Sequence, residues 1–157
     1  MDSPFNRPLC AFRIGRAKHP LLDGSGAALF GGRWSQKGQK VIYAAECYSG
    51  ALLETLAHVR MRWLPPDLAW IKIEIAAEIT REMLNGGDLW GWDAPDFGAS
   101  RVFGSRWYQE RRTAVLLVPS VTTGGIEFNF LINQEHSDFA QINASPPAPV
   151  IWDERFL

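Results

Sequence analysis

The chain has 157 residues, 46% of them hydrophobic and 21% charged, with a formal net charge of −1 from 16 basic and 17 acidic side chains. Such a composition is that of an ordinary soluble globular protein, long enough to bury roughly 70% of the surface its unfolded form would expose, and it excludes a disordered or fibrous class. The near-neutral charge leaves no electrostatic footprint for nucleic acid, so no nucleic-acid partner is expected.

The N-terminal MDSPFNRPLC lacks the basic-then-apolar build of a signal peptide, and no apolar run approaches the ~20 residues of a membrane span, so neither export nor a membrane partner is expected. CAFRIGR (10–16) is predicted as a first strand, followed by a glycine-rich loop, HPLLDGSGAALFGG (19–32), whose backbone can pass close to a ligand. KVIYAA (40–45) is a second short strand. SGALLETLAHVR (49–60) has helical spacing, with Leu52, Leu53, Leu56, Ala57 and Val59 on a broad apolar face, Ser49 as N-cap, and Glu54 on another side with Ala51 and His58. LAWIKIEIA (68–76) alternates, setting Ala69, Ile71, Ile73 and Ile75 against Trp70, Lys72 and Glu74. NGGDLWGWDAPDFG (85–98) holds too many turn residues for regular structure. SRVFGSRWYQERR (100–112) can form a helix despite Gly104, with Val102, Phe103, Arg106, Trp107 and Glu110 near one side. TAVLLVPS (113–120) is a buried strand stopped by Pro119. EFNFLIN (127–133) alternates again, with Phe128, Phe130 and Ile132 opposite Asn129 and Leu131. No repeat, linker or low-complexity tract divides the sequence, so residues 1–157 are expected to make one domain of mixed α+β class.

Several chemistries can be set aside. No GxGxxG or GxxxxGK[ST] is present, so any nucleotide is held by other means than a Rossmann turn or a P-loop. Cys10 and Cys47 are the two cysteines, without CxxC spacing or a histidine cluster nearby. No metal, zinc included, and no disulfide framework is expected, and a reducing cytoplasm is the default location. His19, His58 and His136 are dispersed, which gives no hydrolase triad, no metalloprotease spacing and no paired histidines for an RNase.

What remains are residues with two readings each. Arg33, on the glycine-led turn GGRWS with Trp34 as anchor, can offer its guanidinium fork to phosphate oxygens or pair with a carboxylate at a strand end. Arg13 in FRI invites the same two. Tyr43 can stack on a flat ligand or be an ordinary half-buried strand aromatic. Glu54 lies in an otherwise apolar helix, where a carboxylate is costly without partners or a task, unless it faces solvent with His58 one turn on. Ser120 follows a buried strand, as a site residue or a plain turn serine does. Seven tryptophans, among them Trp63, Trp70, Trp90, Trp92 and Trp107, can be core or ligand-facing.

Together the segments GGRWS with VIYAA, SGALLETLAHV, LLVPSV, EFNFLINQEHSDF and IWDERF, in this order, resemble the RES domain, named for its Arg, Glu and Ser and found as the toxin of bacterial toxin–antitoxin pairs. The resemblance runs nearly the whole chain. It places the family's Arg, Glu and Ser on Arg33, Glu54 and Ser120, its strand tyrosine on Tyr43 and its N-terminal arginine on Arg13. Ser35 stands where the family often has Asn, and Ile14 where it often has an aromatic. The resemblance implies a fold like that of ADP-ribosyltransferases, NAD as substrate, and either hydrolysis or phosphorolysis of NAD or transfer of ADP-ribose to a protein such as phosphoribosyl-pyrophosphate synthetase. It also implies a cognate antitoxin with an Xre-like part that blocks the site. On this reading Arg33 and Arg13 hold the pyrophosphate, and Tyr43 packs on the nicotinamide ribose or ring. Glu54 faces the developing cation, Ser120 contacts the nicotinamide end or orients Glu54, and Asn129 adds a polar contact. The alternative is a non-catalytic module whose aromatic loop LWGWDAPDFG binds a sugar or a protein.

Overall fold

Most of the hydrophobic runs alternate with a period of two, and in the computed structural model, which describes residues 5–60 and 63–157, they pair into one sheet. Residues 1–4 of the segment read for a signal peptide lie outside the described residues. The elements in order are β1 (Leu9–Arg16), α1 (Ser25–Phe30), β2 (Val41–Ala45), α2 (Tyr48–His58), β3 (Leu68–Ile75), β4 (Arg81–Met83), α3 (Gly98–Glu110), β5 (Val115–Pro119), β6 (Phe128–Asn133), β7 (Asn143–Ala144) and β8 (Ala148–Pro149). The strand order is β4-β5-β6-β2-β1-β3-β7, with β8 also on β3. Only β4 and β5 run parallel; the other pairs are antiparallel, which makes the sheet mixed and the class α+β. Among the described residues no helix is long and apolar enough to cross a membrane.

Both faces of the central strands are covered. Ile42, Ile71, Ile73, Val115, Leu117, Phe130 and Ile132 pack on one face with Leu21, Ile79 and Ile142 from the connections. On the other, Val41, Leu116, Val118 and Leu131 meet Trp34 and, from α3, the fully buried Trp107. The sheet has one weak seam. β1 is paired with β3 at eight positions but with β2 at one, Phe12 opposite Ala45. Helix α2 follows β2 directly and packs across both β2 and β1 at this seam.

Three expectations are corrected here. The loop at 19–32 contains a short helix, α1, because the run SGAALF has no breaker inside it after Gly26. The N-cap of α2 is Cys47 rather than Ser49: its sulfur accepts the Gly50 N–H at 3.3 Å. The buried side of α2 also coincides only in part with the leucine-rich one. Ala51 and Leu56 are buried, while Leu53 and Ala57 face solvent, because the helix lies so close to the seam that its small-residue side must face inward.

Helix α3 likewise buries Ser100, Gly104, Ser105 and Trp107, with Phe103 and Tyr108 half-buried, and leaves Val102 and Arg106 outside. Gly104 is required where the sequence made it look like a weakness. A Cβ there would stand 1.9 Å from the Trp34 carbonyl oxygen, so the helix can rest on the Arg33–Trp34 turn only because this residue has none. Gly104→Ala gains about 1 kcal/mol of helix propensity, yet overpacking against a backbone group costs about 1–3 kcal/mol or more. A net loss of stability is therefore expected, seen as a lower urea midpoint with an unchanged m-value; a midpoint above the parent's contradicts this packing account.

Candidate active site

The seam between β1 and β2 is where the polar groups gather. Glu54, in the middle of α2, reaches residues just past the end of β5 and at the start of β6. Its Oε1 accepts from Ser120 Oγ at 3.1 Å, Thr122 Oγ1 at 2.8 Å and Asn129 Nδ2 at 2.9 Å. Ser120 ends β5 and Asn129 lies in β6 at the position paired with Val118, so the strand register delivers both to one oxygen. Three donors offset the desolvation of a half-buried carboxylate. The second oxygen, Oε2, receives no hydrogen bond from any described residue.

Glu54 and Asn129 line a cavity of about 750 Å³ together with Phe12, Arg13, Tyr43, Ala51, Thr55, His58 and Trp63. Arg13 reaches across the seam: its Nη1 donates to the Tyr43 main-chain carbonyl at 2.8 Å. Its Nε is buried without a hydrogen-bond partner and its Nη2 bonds no described residue, so most of the guanidinium fork is unspent. Burial lowers the Arg13 pKa from the ordinary arginine value, with the charge of Asp23 opposing the shift. A cation held in this way beside a cavity is well placed for an anionic ligand.

The tyrosine and the second arginine are tied through one turn. Tyr43 Oη accepts the Trp34 N–H at 3.1 Å and shares a 2.7 Å hydrogen bond with the Ser35 hydroxyl. Gly32 passes so close that a Cβ on it would stand 2.5 Å from that oxygen. Burial raises the Tyr43 phenol above its ordinary pKa, against the lowering effect of the Ser35 and Trp34 bonds, so the group stays a neutral anchor. Arg33, next along, donates Nη1 to the carbonyls of Ala94 at 2.8 Å and Trp92 at 3.2 Å, and its guanidinium carbon lies 4.3 Å from the centre of the Phe97 ring. Phe97 is in the left-handed region at φ +63°, strained backbone for an aromatic residue, and caps α3. Burial lowers the Arg33 pKa, opposed first by Asp93 and then by Glu54.

The structure thus joins Glu54, Ser120 and Asn129 by direct bonds and sets Arg13 and Tyr43 on the same cavity. Arg33 is not among the residues lining that cavity, and it makes no ion pair with a described residue; its hydrogen bonds go to the carbonyls of the Trp-rich loop. The tryptophans are mostly structural: Trp34 and Trp107 are buried, Trp70 stacks edge-on with Tyr48, and only Trp63 and Trp90 are exposed. Sequence reasoning missed Thr122. A second hydroxyl two residues past Ser120, on the same turn, was the one available signal.

A sequence model of the RES domain matches residues 11–153. A "Prs ADP-ribosylating toxin" of Sphingobium sp. (strain YBL2) is 39% identical over 140 residues, 87% of this chain and 86% of that protein. A "Toxin Res" of Yersinia enterocolitica is 33% identical over 136 residues, 84% of this chain and 88% of the relative. Among solved structures, a chain of the M. tuberculosis MbcT–MbcA toxin–antitoxin complex superposes with a TM-score of 0.72 over 91% of this chain and 84% of its own, at 17% identity, which is a likeness of fold.

The Tyr43 anchor can be tested without any ligand. Tyr43→Phe leaves the Trp34 N–H without its partner, a loss of about 1–3 kcal/mol. Chemical denaturation should show a lower midpoint, and a variant as stable as the parent would mean that the hydroxyl does not hold the turn.

Proposed function

The chain belongs to the RES domain family, and from that premise we propose that it is the toxin of a toxin–antitoxin pair, an enzyme that uses NAD and breaks the bond between nicotinamide and its ribose. The observation that carries this reading is the carboxylate of Glu54, held through one oxygen by Ser120, Thr122 and Asn129 on the wall of a cavity. The cavity volume of about 750 Å³ is in the range of small-molecule sites, and Arg13 supplies unspent donors beside it for a pyrophosphate.

The chemistry asks little more of the protein. Nicotinamide leaves from NAD as a neutral molecule, its ring nitrogen already carrying the positive charge, so no general acid has to protonate it. A glycosidase pair of carboxylates is unnecessary, and one fixed carboxylate facing the oxocarbenium-like transition state suffices. In this reading Glu54 Oε2 accepts from a ribose hydroxyl and faces the developing cation. Arg13 binds phosphate oxygens, and Arg33 joins it once the carbonyls of Trp92 and Ala94 give way to the ligand. The Tyr43 ring borders the nicotinamide ribose, and Ser120 and Asn129 orient Glu54. The acceptor of ADP-ribose is water, phosphate or a protein, with phosphoribosyl-pyrophosphate synthetase the candidate protein by analogy with the Sphingobium relative. The partner is an antitoxin that covers the site, expected to carry an Xre-like part. The chain acts as one domain in the cytoplasm and needs no metal.

The test is to incubate the purified chain with NAD, alone, with inorganic phosphate and with phosphoribosyl-pyrophosphate synthetase, and to follow nicotinamide release by chromatography. Glu54→Gln should fold, bind NAD, and lose about 100-fold or more of the turnover. Arg33→Ala and Arg13→Ala should weaken NAD binding itself. Undiminished turnover by Glu54→Gln would sink the reading.

A further inference from the structure

We propose that Thr122 is a positioning residue for Glu54: it holds Oε1 from the β5–β6 loop so that Oε2 faces the substrate. The inference rests on the functional reading above and adds to it a residue outside the Arg, Glu and Ser that name the family. Thr122 Oγ1 makes the shortest of the three contacts to Oε1, 2.8 Å against 2.9 Å for Asn129 and 3.1 Å for Ser120. The two hydroxyls are also 3.0 Å from each other. One carboxylate oxygen has two lone-pair directions, so three donors cannot all align on it. The arrangement that uses every group has Asn129 and Thr122 donating to Oε1 and the Ser120 hydroxyl donating to Thr122 Oγ1. In that arrangement Ser120 acts on the carboxylate through Thr122.

The loop that carries Thr122 is built to hold it still. Ser120 N–H donates to the Glu127 carbonyl at 2.9 Å, and Gly125 N–H returns to the Ser120 carbonyl at 2.7 Å. Thr123 Oγ1 accepts the Glu127 N–H at 3.1 Å. The return needs two left-handed positions, filled by Gly124 at φ +65° and Gly125 at φ +82°. A β-branched side chain is stiff at χ1, so a hydroxyl on threonine is aimed better than one on serine. Asn129 is fixed by the sheet and Thr122 by this turn, and between them the carboxylate has one orientation that satisfies both. Without Thr122, Oε1 keeps Asn129 and the longer 3.1 Å contact to Ser120, and loses its shortest bond.

The experiment uses the full chain and whichever acceptor supports wild-type turnover. It compares kcat, the NAD KM, NAD affinity by calorimetry and thermal stability for wild type, Thr122→Val, Thr122→Ala, Thr122→Ser and Glu54→Gln. Loss of a hydrogen bond to a charged group predicts a fall in kcat of about 10- to 100-fold for Thr122→Val and Thr122→Ala. NAD affinity and melting temperature should stay near those of wild type, and Thr122→Ser should recover most of the rate. A Thr122→Val variant as fast as wild type, beside an inactive Glu54→Gln, overturns the proposal and leaves the function standing. Equal losses for Thr122→Ser and Thr122→Val, tracking a lower melting temperature, also overturn it, since the hydroxyl is then not the agent. If the wild type shows no Glu54-dependent release of nicotinamide with any acceptor, the functional reading itself fails and takes the proposal with it.

Discussion

The site exists because β1 and β2 stop pairing. Two neighbouring strands in a sheet normally satisfy each other's main-chain groups along their length, as β1 and β3 do over eight residues. β1 and β2 meet at Phe12 and Ala45 alone, which leaves main-chain groups along the seam to find other partners. One of them, the Tyr43 carbonyl, is taken by the Arg13 guanidinium. A structural debt of the sheet is thereby met by a cation, and the cation is brought to the wall of the cavity. Helix α2 then bridges the two strands with its small-residue side inward, which is what carries Glu54 into the same space.

From that seam the site closes through a continuous set of contacts. Tyr43 gives its carbonyl to Arg13 and its hydroxyl to the turn that bears Arg33. Arg33 grips the Trp-rich loop at Trp92 and Ala94. The Trp92 ring lies against Gly125, where an added Cβ would be 3.2 Å away, and Gly125 closes the loop that holds Thr122 on Glu54. Arg33 and Glu54 are thus joined through packed, hydrogen-bonded neighbours without touching. Gly32, Gly104 and Gly125 recur along this path at the places where another chain segment comes too near for a side chain. Gly104, which the sequence made look like a helix weakness, and Gly32, in the glycine-rich loop, are both places of close backbone approach.

The strands were legible as short apolar runs, alternating in β3 and β6 and continuous in β5, and β1, β2, β3, β5 and β6 fall where those runs were read, to within two residues. Strand β4 was not, since three residues paired in parallel at an edge leave no pattern to read. The helices were located correctly, but their buried sides only in part: Leu56, Phe103 and Trp107 turn inward as read, whereas Leu53 and Val102 do not. In α2 the count of leucines favoured the side with Leu53, whereas the close approach to the seam selected Ala51, so tertiary geometry overrode amphipathic bookkeeping. Glu54 left two readings open in the sequence, and only the distance to Ser120 and Asn129, 66 and 75 residues away, resolves it. Such contacts are set by sheet register, which no short window of sequence contains. The role of Arg33 shows the same limit from the other side: a stiff turn was readable, but the carbonyls that occupy its guanidinium belong to a loop with no regular pattern.

The arrangement also bears on why a single carboxylate is enough for the proposed cleavage. A glycosidase that expels a poor leaving group needs one carboxyl kept protonated beside another kept charged, and must set two environments apart to do so. Here the surroundings of Glu54 are uniform in character: every contact to it is a donor, and every donor falls on one oxygen. Such a shell suits a carboxylate that acts by position. It also leaves the two oxygens unlike each other, one holding the side chain still and the other without a hydrogen bond from any described residue. Preorganisation of this kind is most effective when the holding groups cannot themselves relax toward the ligand. Asn129 on a buried strand and Thr122 on a glycine-locked turn meet that condition from opposite sides.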